Sequence, residues 1–182
     1  LLKQFNVKFA KLRKLEKGKI LIKQNNKEEA KNIMIMCGGG ALHASTEVCG
    51  LAELLRASAT AFRGGRGVVS EDHPCGTSAA AARRLWDDTD LLIGIGSRLE
   101  LQYMRWGPWD KYLACPPPGS PKLIRIDVDP QEMSRFKPDV GIVADAIDGT
   151  RALIEEIGRR GHNIGDFDRI ATAKATANKN IR

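Results

Sequence analysis

The chain has 182 residues, 42% hydrophobic and 28% charged, with a formal net charge of +7. That length suffices for one domain with a buried core, and no apolar run reaches the roughly 18 residues a membrane span needs. Four cysteines, Cys37, Cys49, Cys75 and Cys115, are widely spaced without a C-x-x-C pair, so neither a zinc site nor a disulfide framework is signalled, and free, mostly buried thiols are expected.

The basicity belongs to one end of the chain. Residues 1–31 hold nine lysines and Arg13 against three glutamates, whereas the remainder balances 19 basic with 19 acidic residues. A nucleic-acid role for the body is thereby disfavoured. A shift from lysine to arginine marks a boundary, giving a basic arm or linker over 1–26, a globular domain over 27–162 and a polar tail or linker over 163–182. In the arm, Phe5, Phe9 and Leu12 fall at helical spacing with Gly18 as a stop. It reads as a solvated amphipathic helix, or as a contact for an acidic partner. It lacks the compact apolar stretch of a secretory signal, and a cytoplasmic location is expected.

Past the arm, apolar runs alternate with amphipathic stretches, the pattern of a doubly wound α/β fold with five or six parallel strands and helices on both faces. A strand over Ile33–Cys37 drives into Gly38-Gly39-Gly40, and a helix over Ala44–Arg56 follows. Glycines there let backbone N–H groups approach a phosphate at the start of a helix; a tight turn without ligand is the other reading. A short strand over Ala59–Phe62 leads to a glycine-rich loop ending at His73-Pro74, and Ser78 is placed to cap an alanine-rich helix to Trp86. Asp90–Ile95, the most apolar run, is expected as a central strand buried on both faces, ending at Gly96-Ser97-Arg98. Residues Glu100 to Pro121 read as an irregular excursion whose aromatics Tyr103, Trp106, Trp109 and Tyr112 pack onto their own domain, stack on a base or cover an interface. Strands over Lys122–Val128 and Val140–Ala144 end in Asp127, Asp129 and Asp145, and a helix over Asp148–Arg160 closes the domain.

In an open α/β sheet the ligand crevice lies beyond the carboxyl ends of the strands. Gly38, Gly39, Gly40, Gly96, Arg98, Asp127 and Asp145 all fall there. They offer close backbone approach, a cation for phosphate and carboxylates for ribose hydroxyls, which suits an adenine nucleotide. Helix capping is the alternative role for the two aspartates. Ordinary NAD binding is disfavoured, because the second strand ends in Phe62-Arg63 and not in an acid. His43, His73 and His162 are far apart, and no nucleophile elbow, H-E-x-x-H or P-loop accompanies them.

The succession Cys37-Gly38-Gly39-Gly40-Ala41, Gly65 to Pro74, Asp90 to Arg98 and Ile126-Asp127-Val128-Asp129-Pro130 resembles the central domain of thiamine diphosphate-dependent enzymes of the acetolactate synthase type. The resemblance implies a Rossmann-like domain of the DHS-like NAD/FAD-binding type, set between pyrimidine-binding and pyrophosphate-binding domains in a homo-oligomeric parent. It also implies a parent that decarboxylates a 2-oxo acid or joins the resulting acyl carbanion to an acceptor. Members bind thiamine diphosphate and magnesium through Gly-Asp-Gly followed by paired asparagines, and activate the cofactor with a glutamate of the first domain. Here Gly165-Asp166 is followed by Phe167, and Asn25-Asn26 lies upstream. An isolated central domain, not catalytic alone, is therefore expected. Related domains hold FAD, ADP or nothing, and the seven residues named above match positions where nucleotide-binding members make contacts. The family's Gly-x-Arg-Phe-Asp-Asp-Arg becomes Gly96-Ser97-Arg98-Leu99-Glu100-Leu101-Gln102, which favours ADP over a tightly held flavin and leaves an empty site as the next reading. An autonomous nucleotide-binding module using its arm on an acidic partner is the competing function.

Overall fold

A computed structural model describes residues 30–100, 106, 120–160 and 165–179. The expectations for the arm, for Tyr103, Trp109 and Tyr112, and for Cys115 and His162 lie outside the described residues. The strands are β1 (Ile33–Cys37), β2 (Ser58–Ala61), β3 (Gly76–Thr77), β4 (Leu91–Ile95), β5 (Lys122–Asp127) and β6 (Val140–Val143). The helices are α1 (Ser45–Leu55), α2 (Ala79–Trp86), the single turn α3 (Glu132–Arg135), α4 (Ala146–Arg160) and α5 (Phe167–Lys179). All strand pairs are parallel and the sheet runs β3-β2-β1-β4-β5-β6. This is the doubly wound order, and it reverses between β1 and β4.

Strands β1 and β4 are buried along their whole length, as their unbroken apolar composition dictates. Successive side chains go to opposite layers. Ile33, Ile35 and Cys37 join Ile93, Ile95 and Ile126 beneath α1 and α4, which contribute Leu51, Leu55, Leu153 and Ile157. Met34, Met36, Leu92 and Leu123 meet Leu85 and Trp86 of α2 and Ile170 and Ala173 of α5. The described Trp106 packs edge-on between Trp86, with centroids 5.6 Å apart, and Phe62, at 6.4 Å. That aromatic of the excursion therefore covers its own domain. Ser78 caps α2 as expected, its hydroxyl accepting the Ala81 N–H at 3.3 Å.

Six strands fall within the expected five or six, but one was not located from sequence, and one segment differs from expectation. Gly76–Thr77 forms a sixth, two-residue strand, pairing Ala59 with Gly76 and Thr60 with Thr77, where a glycine- and proline-containing loop hid it. The segment read as a polar tail is helical from Phe167 to Lys179, and its Ile170, Ala173 and Ala177 turn inward at three- and four-residue spacing. This helix is tied down along its length. The Gly165 N–H donates to Leu55 O at 2.8 Å, the Arg56 guanidinium lies 5.4 Å from the centroid of the Phe167 ring, and Arg169 Nη2 donates to Leu85 O at 2.9 Å. Lys174 Nζ donates to the Glu71 and His73 carbonyls at 2.7 and 2.8 Å, clasping the β2–β3 loop. Two of its three inward residues are alanines, so the stripe was faint in sequence. Ile170→Val should cost about 1 kcal/mol in urea denaturation; a helix that merely trailed from the domain would give no change.

Candidate functional site

The turns that follow β1 and β4 pack directly on one another at the point where the strand order reverses. The Gly38 N–H donates to Ile95 O at 3.0 Å and the Gly40 N–H to Gly96 O at 3.2 Å. A Cβ on Gly38 would overlap Gly96 O and stand 2.6 Å from Ser97 Cα. Gly96 has φ +53°, and a Cβ there would meet Gly40 C at 2.5 Å. The glycines thus bring backbone against backbone, and two of the N–H groups expected to face a phosphate are already spent within the protein.

Beside this contact lies a cavity of about 290 Å³ at the ends of β4, β5 and β6, close to the lower end of the roughly 300–1,000 Å³ typical of ligand sites. Gly40, Gly96, Arg98, Asp127 and Asp145 all line it. Gly38 is buried beneath, and Gly39 is exposed on the other side, where a Cβ would lie 3.7 Å from Gly64 O. Five of the seven expected residues are therefore brought together and two are not.

The loop that carries Arg98 is firmly held. Leu99 adopts φ +57° and buries its side chain against Gly94, where any Cβ would come within 3.0 Å of Leu99 Cδ1. Ser97 O accepts from Arg125 Nη2 at 2.8 Å. The Arg98 side chain itself is 67% exposed, with Nε 3.6 Å from Glu132 Oε1. Glu132 is a hub: its Oε2 lies 3.3 Å from both Arg125 Nη2 and Arg135 Nε, and Arg135 Nη1 reaches Glu100 Oε1 at 2.6 Å. Arg125, 1% exposed on β5, also donates from Nη1 to Glu132 O. Reasoning from sequence missed Arg125 and Glu132; the available signal was an arginine inside the apolar strand Leu123-Ile124-Arg125-Ile126, which demands a buried acceptor.

The acidic side of the cavity has a common local design. Asp127 Oδ1 accepts the Asp129 N–H at 3.1 Å, Asp129 Oδ1 the Gln131 N–H at 2.8 Å, and Asp145 Oδ1 the Ile147 N–H at 2.8 Å. Each is an Asx turn, and Asp145 also caps α4, its carbonyl accepting the Gly149 N–H at 2.8 Å. Of Asp127 and Asp145 only Asp145 caps a helix, and each turn uses one carboxylate oxygen while the second makes no hydrogen bond among the described residues. Among the described residues, carboxylates line one side of the cavity and the exposed guanidinium of Arg98 lines the other.

His73 accepts the Cys75 N–H on Nδ1 at 3.2 Å and donates from Nε2 to Glu53 Oε1 at 3.0 Å, fixing its loop. Burial pushes the Cys37 thiol up to about 12 and that of Cys75 up to about 11, and burial also raises Cys49. At pH 8 both buried thiols stay protonated, so iodoacetamide should label Cys37 and Cys75 only after unfolding; mass-spectrometric peptide mapping checks this.

Among the described residues, none forms a site that fits thiamine diphosphate and its magnesium. Gly165-Asp166 is a helix cap, with Asp166 Oδ1 accepting the Asp168 N–H at 2.9 Å, and Gly165 packs on the backbone at the end of α1, where a Cβ would lie 3.1 Å from Leu55 O. Among the described residues, no three His, Cys, Asp or Glu side chains gather in an arrangement that holds a metal ion. No described helix is long and apolar enough to cross a membrane.

Comparison with known proteins gives the same placement. Residues 28–153 match the family model described as thiamine pyrophosphate enzyme, central domain. The chain is 29% identical over 130 residues to a probable 2-ketoarginine decarboxylase of Pseudomonas aeruginosa, covering 69% of this chain and 22% of that protein. It is 32% identical over 126 residues to a probable acetolactate synthase large subunit of Methanococcus aeolicus, covering 64% and 20%. It is 28% identical over 135 residues to human 2-hydroxyacyl-CoA lyase 1, covering 71% and 22%. The aligned part spans about a fifth of the length of these relatives. The match over residues 28–153 takes in all six strands and the turns that line the cavity, and the chain belongs to the central-domain family of thiamine pyrophosphate enzymes.

Proposed function

We propose that this chain acts as the middle domain of a thiamine diphosphate-dependent enzyme that decarboxylates a 2-oxo acid or passes the resulting acyl unit to an acceptor. Its part is to pack the subunit between a pyrimidine-binding and a pyrophosphate-binding domain, within a cytoplasmic homo-oligomer. No catalytic step falls to it: thiamine diphosphate and magnesium would be held by those other domains.

The cavity beyond β4, β5 and β6 is read as a site for an adenine nucleotide, ADP in preference to FAD. One observation carries this reading: Arg98 lines the same cavity as Asp127 and Asp145, whose Asx turns each leave one carboxylate oxygen over. A guanidinium suits a diphosphate, while carboxylates accept ribose hydroxyls. Calorimetric titration tests it. Arg98→Ala should weaken ADP binding about tenfold, as loss of a charge-assisted contact does, and leave adenosine binding unchanged. Equal loss for both ligands, or for neither, contradicts the assignment of Arg98 to phosphate.

A further inference from the structure

Glu132 lines the same cavity as Arg98. Its two oxygens are used differently. Oε2 lies between Arg125 Nη2 and Arg135 Nε, each at 3.3 Å. Arg125 is fully enclosed and also holds Ser97 O, while Arg135 is held by Glu100. The carboxylate is therefore clamped from behind by two guanidiniums with partners of their own. Oε1 faces forward to Arg98 Nε at 3.6 Å, beyond hydrogen-bond distance, and the Arg98 side chain is mostly in solvent. Of the two partners in this loose pair, Arg98 is the one free to move.

We propose that Glu132 is a specificity-determining residue that acts as a built-in competitor for Arg98, so that a ligand phosphate gains the guanidinium only by displacing a carboxylate. This rests on the reading of the cavity as a nucleotide site. A phosphate that approaches Arg98 loses affinity in two ways: the Arg98–Glu132 attraction is given up, and a like charge remains behind at close range in a partly desolvated site. A neutral nucleoside, whose hydroxyls go to the aspartates, meets neither cost. Glu132 thereby sets a threshold on anionic ligands and leaves their neutral counterparts unaffected.

The test is calorimetric titration of the full chain with ADP and with adenosine, for the wild type, Glu132→Gln, Arg98→Ala and the double variant. Glu132→Gln should bind ADP roughly twofold to fivefold more tightly, the scale of one partly exposed charge contact. Adenosine affinity should stay constant, and the gain should vanish when Arg98 is alanine. Unchanged or weaker ADP binding in Glu132→Gln overturns the proposal. So does an equal gain in the Arg98→Ala background, which would trace the effect to the uncovered charge of Arg125 and Arg135. Should Glu132→Gln not fold by circular dichroism, Glu132→Gln combined with Arg125→Met, which also removes the guanidinium that the first change strands, is compared with Arg125→Met alone and judged by the same outcomes. If ADP binds to none of the folded proteins, the nucleotide reading itself fails and the inference falls with it.

Discussion

Gly38→Ala should destabilise the protein by about 3–4 kcal/mol, a large share of the roughly 5–15 kcal/mol that holds a domain together. The reason is backbone against backbone. The added methyl would overlap Gly96 O and stand 2.6 Å from Ser97 Cα, so no rotamer change relieves it. The two turns must part, and the hydrogen bonds from Gly38 to Ile95 and from Gly40 to Gly96 go with them. The position is also where β1 and β4, the two most buried strands, are joined, so displacement is resisted by the core on both faces. Gly50→Ala is the matched control. It lies within α1 with nothing within 4 Å of the built Cβ, and the same substitution should there stabilise by about 1 kcal/mol through helix propensity. Urea midpoints of the two variants should move in opposite directions. Similar shifts in both would show that the turn has room to spare.

The second large effect is expected at the buried charge network. Glu132→Leu removes the carboxylate from Arg125, a cation with 1% exposure, and should cost about 3–4 kcal/mol. Most of that cost is the stranded guanidinium and not the lost attraction, because an ion pair taken from water repays little more than its own desolvation. The double variant Arg125→Met with Glu132→Leu removes both charges and should recover much of the loss. Some deficit should remain, since Arg125 also bonds Ser97 O and Glu132 O, joining the Arg98 loop to α3. A double variant as unstable as the sum of its parts would mean that the pair contributes no coupling. Chemical denaturation of the three variants with a two-state fit decides this.

How much of this was legible beforehand follows from the kind of signal each element gives. Strands β1 and β4 were placed within a residue because a strand buried on both faces writes itself as an uninterrupted apolar run. That Asp127, Asp145, Gly96 and Arg98 would share one rim was legible from position, since the sheet topology carries residues at or just past strand ends to one edge, where they line one cavity. Strand β3 was not legible. Two residues, one of them glycine, carry no periodicity, and only pairing with β2 makes them a strand. Helix α5 was missed for a similar reason, as its inward face is Ile170 with two alanines, and its anchors Lys174, Arg169 and Gly165 act on backbone carbonyls that leave no trace in sequence. The Gly38–Gly40 turn was recognised as a close-approach site, but what approaches Gly38 and Gly40 is the Gly96 turn. Which partner a glycine makes room for is a tertiary fact.

The account centres on one cavity taking the phosphate and ribose of one nucleotide. A crystal structure of the chain grown with ADP tests it most directly. The expected result is a diphosphate against Arg98 with ribose hydroxyls on the second carboxylate oxygens of Asp127 or Asp145. ADP bound at another surface, or a cavity that stays empty at saturating ADP, would contradict it.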